Sequence, residues 1–202
     1  MKNLLIALLL VSKISYGQFI DSSKFGINSE IGFGISQLEH SVYGKVAGNT
    51  FQLGVLASYR LNERMSISSG LILQNFSGNI FVNNLNSNLT NQYFQFPIKF
   101  NVKSPIFKEL NENIRFVGGV GAYANFMTLS SVSNSVSEVK SENVGWNMVL
   151  NVNFGMNFRV KKKSYVSLLY DLNSEIGKIT TNNISQRMNY SNGFKIGVNH
   201  NF

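Results

Sequence analysis

The chain contains no cysteine, only two prolines, one tryptophan and two histidines in 202 residues. Without cysteine, disulfides and thiolate metal sites are excluded. Two histidines leave little material for general acid–base chemistry or a histidine-rich metal centre. Charge is sparse, at 14% of residues, and acids are the scarcer sign, with ten against eighteen Lys and Arg. A basic excess can mark a nucleic-acid binder, but these cations form no stripe interleaved with exposed aromatics. Beyond the N-terminus no stretch approaches the roughly 20 apolar residues of a transmembrane helix. A hydropathy window is blind to one membrane class, however. A β-barrel hides its lipid face by alternating apolar and polar residues.

What the chain does have fits that class: 17 glycines, 16 phenylalanines and eight tyrosines, with frequent Asn and Ser. Its N-terminus reads as a secretory signal, with Lys2 as a positive n-region, Leu4 to Val11 as a short apolar core, and Ser15-Tyr16-Gly17 before a cleavage point at Gln18. Residues 1–17 are therefore expected to be removed, leaving residues 18–202 as one domain. The formal charge of +8 falls to +6 when Lys2 and Lys13 leave. Export also sets the chain apart from nucleic acid, which is excluded as a partner.

Eight segments carry a period of two, the strand signature. They lie at about 24–38, 50–60, 65–76, 94–102, 114–126, 146–159, 164–172 and 190–202. The sixth is the cleanest. Trp146, Met148, Leu150, Val152, Phe154, Met156 and Phe158 alternate with Asn147, Val149, Asn151, Asn153, Gly155, Asn157 and Arg159. In the last, Tyr190, Phe194, Ile196, Val198 and Phe202 oppose Ser191, Gly193, Lys195, Gly197 and Asn199. Pro97 inside the fourth segment argues for an edge strand, because proline cannot donate to the ladder.

The connectors alternate in length. Short ones fall at 61–64, about 103–113 and 160–164; long polar ones fall at about 39–49, 77–91, 127–144 and 173–189. Short turns at one end and long loops at the other are the asymmetry of outer-membrane barrels. An even strand count closes an antiparallel sheet without an edge, as a bilayer requires. The expected fold is an all-β, eight-stranded antiparallel transmembrane β-barrel in the cell outer membrane. Both termini are expected in the periplasm and four loops outside. A soluble barrel of lipocalin type shares the alternation. The polar faces here are too poor in apolar bulk to form its dry core.

Tyr93-Phe-Gln-Phe-Pro-Ile-Lys-Phe100, Gly118-Gly-Val-Gly-Ala-Tyr123 and Phe154-Gly-Met-Asn-Phe158 resemble strands of the PorT-like small outer-membrane β-barrel proteins of the Bacteroidota. The final strand resembles the closing strand of bacterial outer-membrane barrels. That resemblance implies that Phe202 is an insertion signal read by the barrel-insertion machinery. The PorT-like resemblance covers essentially the whole mature chain. It implies no catalytic residues, and it opens an alternative role as an accessory component of a secretion or transport assembly.

No constellation for catalysis, a cofactor or a metal emerges, so an enzyme is not expected. His40 falls in the first outer loop and His200 on the lipid-side register of the last strand, at opposite ends of the barrel. Gly118 to Gly121 lacks the Lys-Ser/Thr of a phosphate loop. By register, Glu30, Arg60, Lys99, Arg115, Arg159, Asp171 and Lys195 point inward, and Glu30 and Asp171 are the only acids to do so. They are expected to form a polar network filling a narrow lumen; a basic lumen that attracts anions is the alternative. Outer-membrane lipids are the expected surroundings, and an envelope protein contacting the four outer loops is the expected kind of partner.

Overall fold

A computed structural model describes residues 24–82, 85–105, 113–134, 136–181 and 184–202. The expected signal peptide lies outside the described residues. Among these residues nine strands form one sheet: β1 (Phe25–His40), β2 (Gly44–Arg60), β3 (Met65–Val82), β4 (Leu85–Lys103), β5 (Ile114–Ser133), β6 (Glu138–Lys161), β7 (Ser164–Ile176), β8 (Ile179–Thr181) and β9 (Ile184–Asn201). Each long strand pairs antiparallel with its neighbour, and β9 pairs back onto β1, so eight long strands close a ring. The three-residue β8 continues the line of β7 and pairs with the start of β9.

The β1–β9 seam is tight. Gly34 lies opposite Gly193, and a Cβ on either would sit 2.2 Å from a carbonyl oxygen of the other strand. Only glycine allows that approach. Closure also explains Pro97. It is no edge residue, since β4 has partners on both sides. The β3–β4 ladder instead skips from Ser69↔Ile98 to Ile72↔Gln95, so the missing N–H falls where that ladder is open.

The strands are longer than expected. The stretches at 39–49, 77–91, 127–144 and 173–189 are not long loops. Most of each is strand, so the four loops expected outside are four tall hairpins. Residues 41–43 turn β1 into β2, and Gly44 follows with a φ of +72° that favours glycine. At the β5–β6 turn, Asn134 Oδ1 accepts the N–H groups of Val136 (2.9 Å) and Ser137 (2.8 Å). At the opposite end, Asn62 Oδ1 accepts the N–H groups of Arg64 and Met65, both at 2.8 Å.

The physical reason is an inversion of phase. In β4 the outward face runs Asn86, Asn88, Thr90, Gln92 and then Phe94, Phe96, Ile98, Phe100, Val102. The inward face runs Leu85, Ser87, Leu89, Asn91, Tyr93 and then Gln95, Pro97, Lys99, Asn101. The strand keeps its register while its polarity swaps sides. β1 does the same, with Ile27, Ile31, Phe33 and Ile35 outward, then Gln37 and Glu39 outward with Leu38 buried. β3 swaps between Leu73 and Asn75. The lower part is therefore apolar outside and polar inside, and the upper part is the reverse. Tilted strands in a bilayer need only about 9–11 residues, and β4 has 19 and β6 has 24. The excess forms a barrel wall that suits water.

Aromatics mark the boundary. Phe33 and Phe51 pair at 5.1 Å between ring centres, and Phe96 and Phe126 at 6.0 Å. Trp146 is 63% exposed at the same level. Near the other end, Phe25 and Tyr59 pair at 5.1 Å. From Trp146 to Phe158 the strand rises roughly 40 Å at about 3.4 Å per residue, which a tilt of about 35–45° reduces to roughly 30 Å. That matches a hydrocarbon core.

Two substitutions on one face of β4 test this swap. Ile98→Arg should cost about 2–4 kcal/mol if the position lies at the bilayer midplane. Asn88→Arg should stay within about 0.5 kcal/mol of the parent, as for an ordinary water-facing position. Urea unfolding in lipid vesicles measures both, and equal costs would remove the boundary between Gln92 and Phe94.

Candidate functional site

The lumen is built in layers. Four of the seven charged residues expected inside it meet at its centre. Glu30 on β1 holds Lys99 on β4 at 3.1 Å and Lys195 on β9 at 3.4 Å. Lys195 reaches Asp171 on β7 at 2.9 Å. Two carboxylates and two ammonium groups balance, and all four residues are at most 4% exposed. Isolated charges at this depth would be very costly, so pairing is what permits them.

Amides satisfy the remaining lone pairs. Asn151 Nδ2 donates to Asp171 Oδ1 at 2.9 Å and to Asn173 Oδ1 at 2.8 Å. Asn173 Nδ2 donates to Asp171 Oδ2 at 2.7 Å, and Asn153 Nδ2 to Asn151 Oδ1 at 3.1 Å. The alternation of Asn with apolar residues in β6 thus supplies one edge of the ion cluster. Asn151 is 2% exposed, so the polar lumen offers it no spare room.

Beside the ions, Leu56, Ile72, Tyr123 and Val149 form a small buried cluster, and Lys99 Nζ lies 5.5 Å from the Tyr123 ring centre. Next comes an amide layer. Gln52 donates to Gln74, Asn91 to Gln186 at 2.9 Å, and Asn125 to Asn147 at 3.0 Å and to Glu175 at 2.8 Å. Glu175 also accepts the Met188 N–H at 2.6 Å. Leu38, Val46, Phe76, Ile80, Leu89, Tyr93 and Met127 then form an apolar cluster across the lumen. A void beside Asp171 and Lys195 is only water-sized, at about 10 Å³. The described lumen is packed, as the narrow interior of an eight-stranded barrel permits.

Arg60, Arg115 and Arg159 do not join the quartet. Their strand positions lie toward the Asn62 turn and the β6–β7 turn. Arg60 and Lys103 line a vestibule of about 60 Å³ below the ions. Glu30 and Asp171 are not the only inward acids, because Glu175 joins them at 6% exposure. Sequence reasoning misses it because its segment reads as loop once the outward apolar pattern stops. The inverted alternation in Leu85, Leu89 and Tyr93 is the signal that would have extended the strands.

His40 is the last residue of β1 rather than a loop residue. It is buried, stacks on Tyr43 at 4.5 Å, and its Nδ1 accepts the Val42 N–H at 3.2 Å. Burial lowers its pKa, which keeps the ring neutral. His200 lies at the other end, with Nδ1 3.0 Å from Ser164 Oγ. Above the apolar cluster the barrel opens into a cup of about 430 Å³ whose lining includes His40, Tyr43 and Gln186. Outside its rim, Glu39 pairs with Lys178 and Arg187, both at 3.1 Å. Lys178 holds the exposed Glu39 carboxyl below its usual range. Among the described residues no three His, Asp or Glu side chains converge to hold a metal ion.

No protein-family model matches the chain, and no curated protein matches it in sequence. Solved structures do resemble it. Neisserial surface protein A (NspA) has a TM-score of 0.59 at 16% identity, over 89% of this chain and 98% of that one. A major outer membrane protein from Thermus thermophilus has a TM-score of 0.54 at 9% identity, over 88% of this chain and 99% of that one. At these identities the likeness is one of fold, and the fold is that of small outer-membrane β-barrels.

Glu30→Gln should be the most damaging single change in the quartet. It leaves two buried lysines facing one carboxylate, and breaking a buried pair costs about 3–5 kcal/mol. Adding Lys99→Met should recover part of that loss, because one excess charge leaves with it. Urea unfolding in vesicles measures the cycle, and simple additivity of the two changes would dissolve the quartet as a unit.

Proposed function

We propose that the protein is an integral, non-conducting outer-membrane barrel whose role is structural or interactive, exercised through the hairpin wall that projects outside. The inversion of polarity along the strands carries this reading. An apolar belt bounded by aromatics fits lipid, and a polar wall above it fits water. The packed ion quartet and the apolar cluster, which lie between the vestibule and the cup among the described residues, support a sealed lumen. Partners in this reading meet a strand-built rim where long loops were expected. In this topology both termini are periplasmic, Phe202 serves as the insertion signal, and the barrel acts without catalysis.

A second reading makes the protein an accessory component of a secretion or transport assembly, as the PorT-like resemblance implies. Its support is the three motif segments. Tyr93 and Pro97 fall at inward positions of β4, and Gly118 to Tyr123 run within β5. Loss of secreted proteins on deletion of the gene would favour it over the first reading.

Orientation and conduction test the main reading together. Cysteines replacing Phe81 and Ser137 should react with a membrane-impermeant maleimide on intact cells, and one replacing Lys162 should not. The purified protein should add no measurable ion current to a planar bilayer. Labelling at position 162 alone would invert the topology, and a steady open conductance would overturn the sealed lumen.

A further inference from the structure

At the end of the lumen away from the Asn62 turn, the inverted strands create an open cup above the apolar cluster. Val82, Leu85, Val132, Val144 and Ile184 supply apolar wall, with the ring of Tyr43 beside them. Its volume of about 430 Å³ falls in the roughly 300–1,000 Å³ range of small-molecule sites. The floor is closed. Leu38, Phe76, Ile80 and Leu89 beneath it are all at most 5% exposed, so an entering molecule would stop there. Ser130, Asn134, Ser137, Ser141 and Thr181 also line the space, so an occupant that displaces water favourably has to combine apolar surface with a polar atom.

We propose that this cup binds a small, uncharged, largely apolar molecule that carries a hydrogen-bond acceptor. Besides the Ser and Thr hydroxyls, His40 and Gln186 are lining residues with a donor to offer. The His40 ring accepts the Val42 N–H at Nδ1, so its proton is on Nε2, and the ring lines the cup. Gln186 Nε2 has the Met127 thioether at 3.2 Å as its partner, a weak acceptor that a carbonyl or ether oxygen would outcompete. Among the described residues no Lys, Arg, Asp or Glu lines the space. Glu39 instead pairs with both Lys178 and Arg187 on the exterior of the wall. An ionised ligand would find no countercharge, and burial holds His40 neutral. The choice of an uncharged acceptor follows from that pairing of charges outside and neutral donors inside. Binding needs only the folded barrel; access from outside the cell rests on the topology proposed above.

Benzophenone is a direct probe, being apolar, uncharged and furnished with one carbonyl, and light attaches it to nearby C–H groups. The full-length protein in phosphatidylcholine vesicles should acquire adducts on Val132, Val144 and Ile184 that saturate with probe concentration. Excess camphor, an apolar ketone without that photochemistry, should suppress these adducts and leave those on lipid-facing Ile98 unchanged. Val132→Trp on β5 and Val82→Trp on β3 should each lower occupancy about tenfold, equivalent to about 1.4 kcal/mol. Two positions on different strands guard against one variant failing to fold, and the camphor competition needs no variant. Adducts confined to the lipid face, or cup adducts that camphor does not reduce, would overturn the proposal. Because the probe crosses lipid, the result does not depend on which way the barrel faces.

Discussion

The ladder between β1 and β9 is the interaction on which the remaining structure depends. Without it the sheet has two edges, and rows of unpaired N–H and C=O groups would face hydrocarbon at several kcal/mol each. With it, Gly26↔Asn201 through His40↔Gln186 pair along nearly the full length of β1. Closure fixes an inside and an outside, and strand alternation then assigns each residue to one of them. The seam also brings Glu30 on β1 beside Lys195 on β9, so the central ion cluster exists only in the closed ring.

That cluster solves the problem closure creates. A narrow ring has to be filled, and its polar inner face has to be satisfied without bulk water. Four strands contribute one charge each, and the asparagines of β6 and β7 complete the hydrogen bonds. Replacing such a buried set by apolar residues can be neutral or stabilising, so its physical value lies more in fixing which strands meet than in raw stability. Above it the chemistry changes. The interior becomes apolar where the exterior becomes polar, so the half above carries the pattern of a water-facing barrel and the half below that of a lipid-facing one.

Much of the lower half is legible in the sequence. The outward residues of all eight long strands and the inward positions of Glu30, Lys99, Asp171 and Lys195 follow from a period of two, and the short turns at 61–64 and 160–164 are where the pattern breaks; most of the connector expected at 103–113 lies outside the described residues. The upper half is not, for one reason. Alternation marks a strand only while the apolar residues stay on one face, and each segment ends where that face becomes polar. Asn86, Asn88, Thr90 and Gln92 read as loop, although Leu85, Leu89 and Tyr93 between them keep the period. The same rule hides His40 and Glu175. Pairings that depend on side-chain reach are also out of view, since register shows that Arg60 and Lys99 both face inward but not that Lys99 reaches Glu30 while Arg60 lines the vestibule. Pro97 misleads for a different reason, because a local rule about edges does not hold where a ladder opens inside a closed sheet.

The central claim is that the outer surface changes solvent at one level around a continuous strand. Nitroxides placed in turn at Asn88, Thr90, Gln92, Phe94, Phe96 and Ile98 on the outward face of β4 measure this directly. In lipid vesicles, a water-soluble nickel reagent should reach the first three, and lipid-dissolved oxygen should dominate at the last three. Nickel access at all six positions would make the barrel a soluble one, and oxygen dominance at all six would place the outer hairpins inside the bilayer.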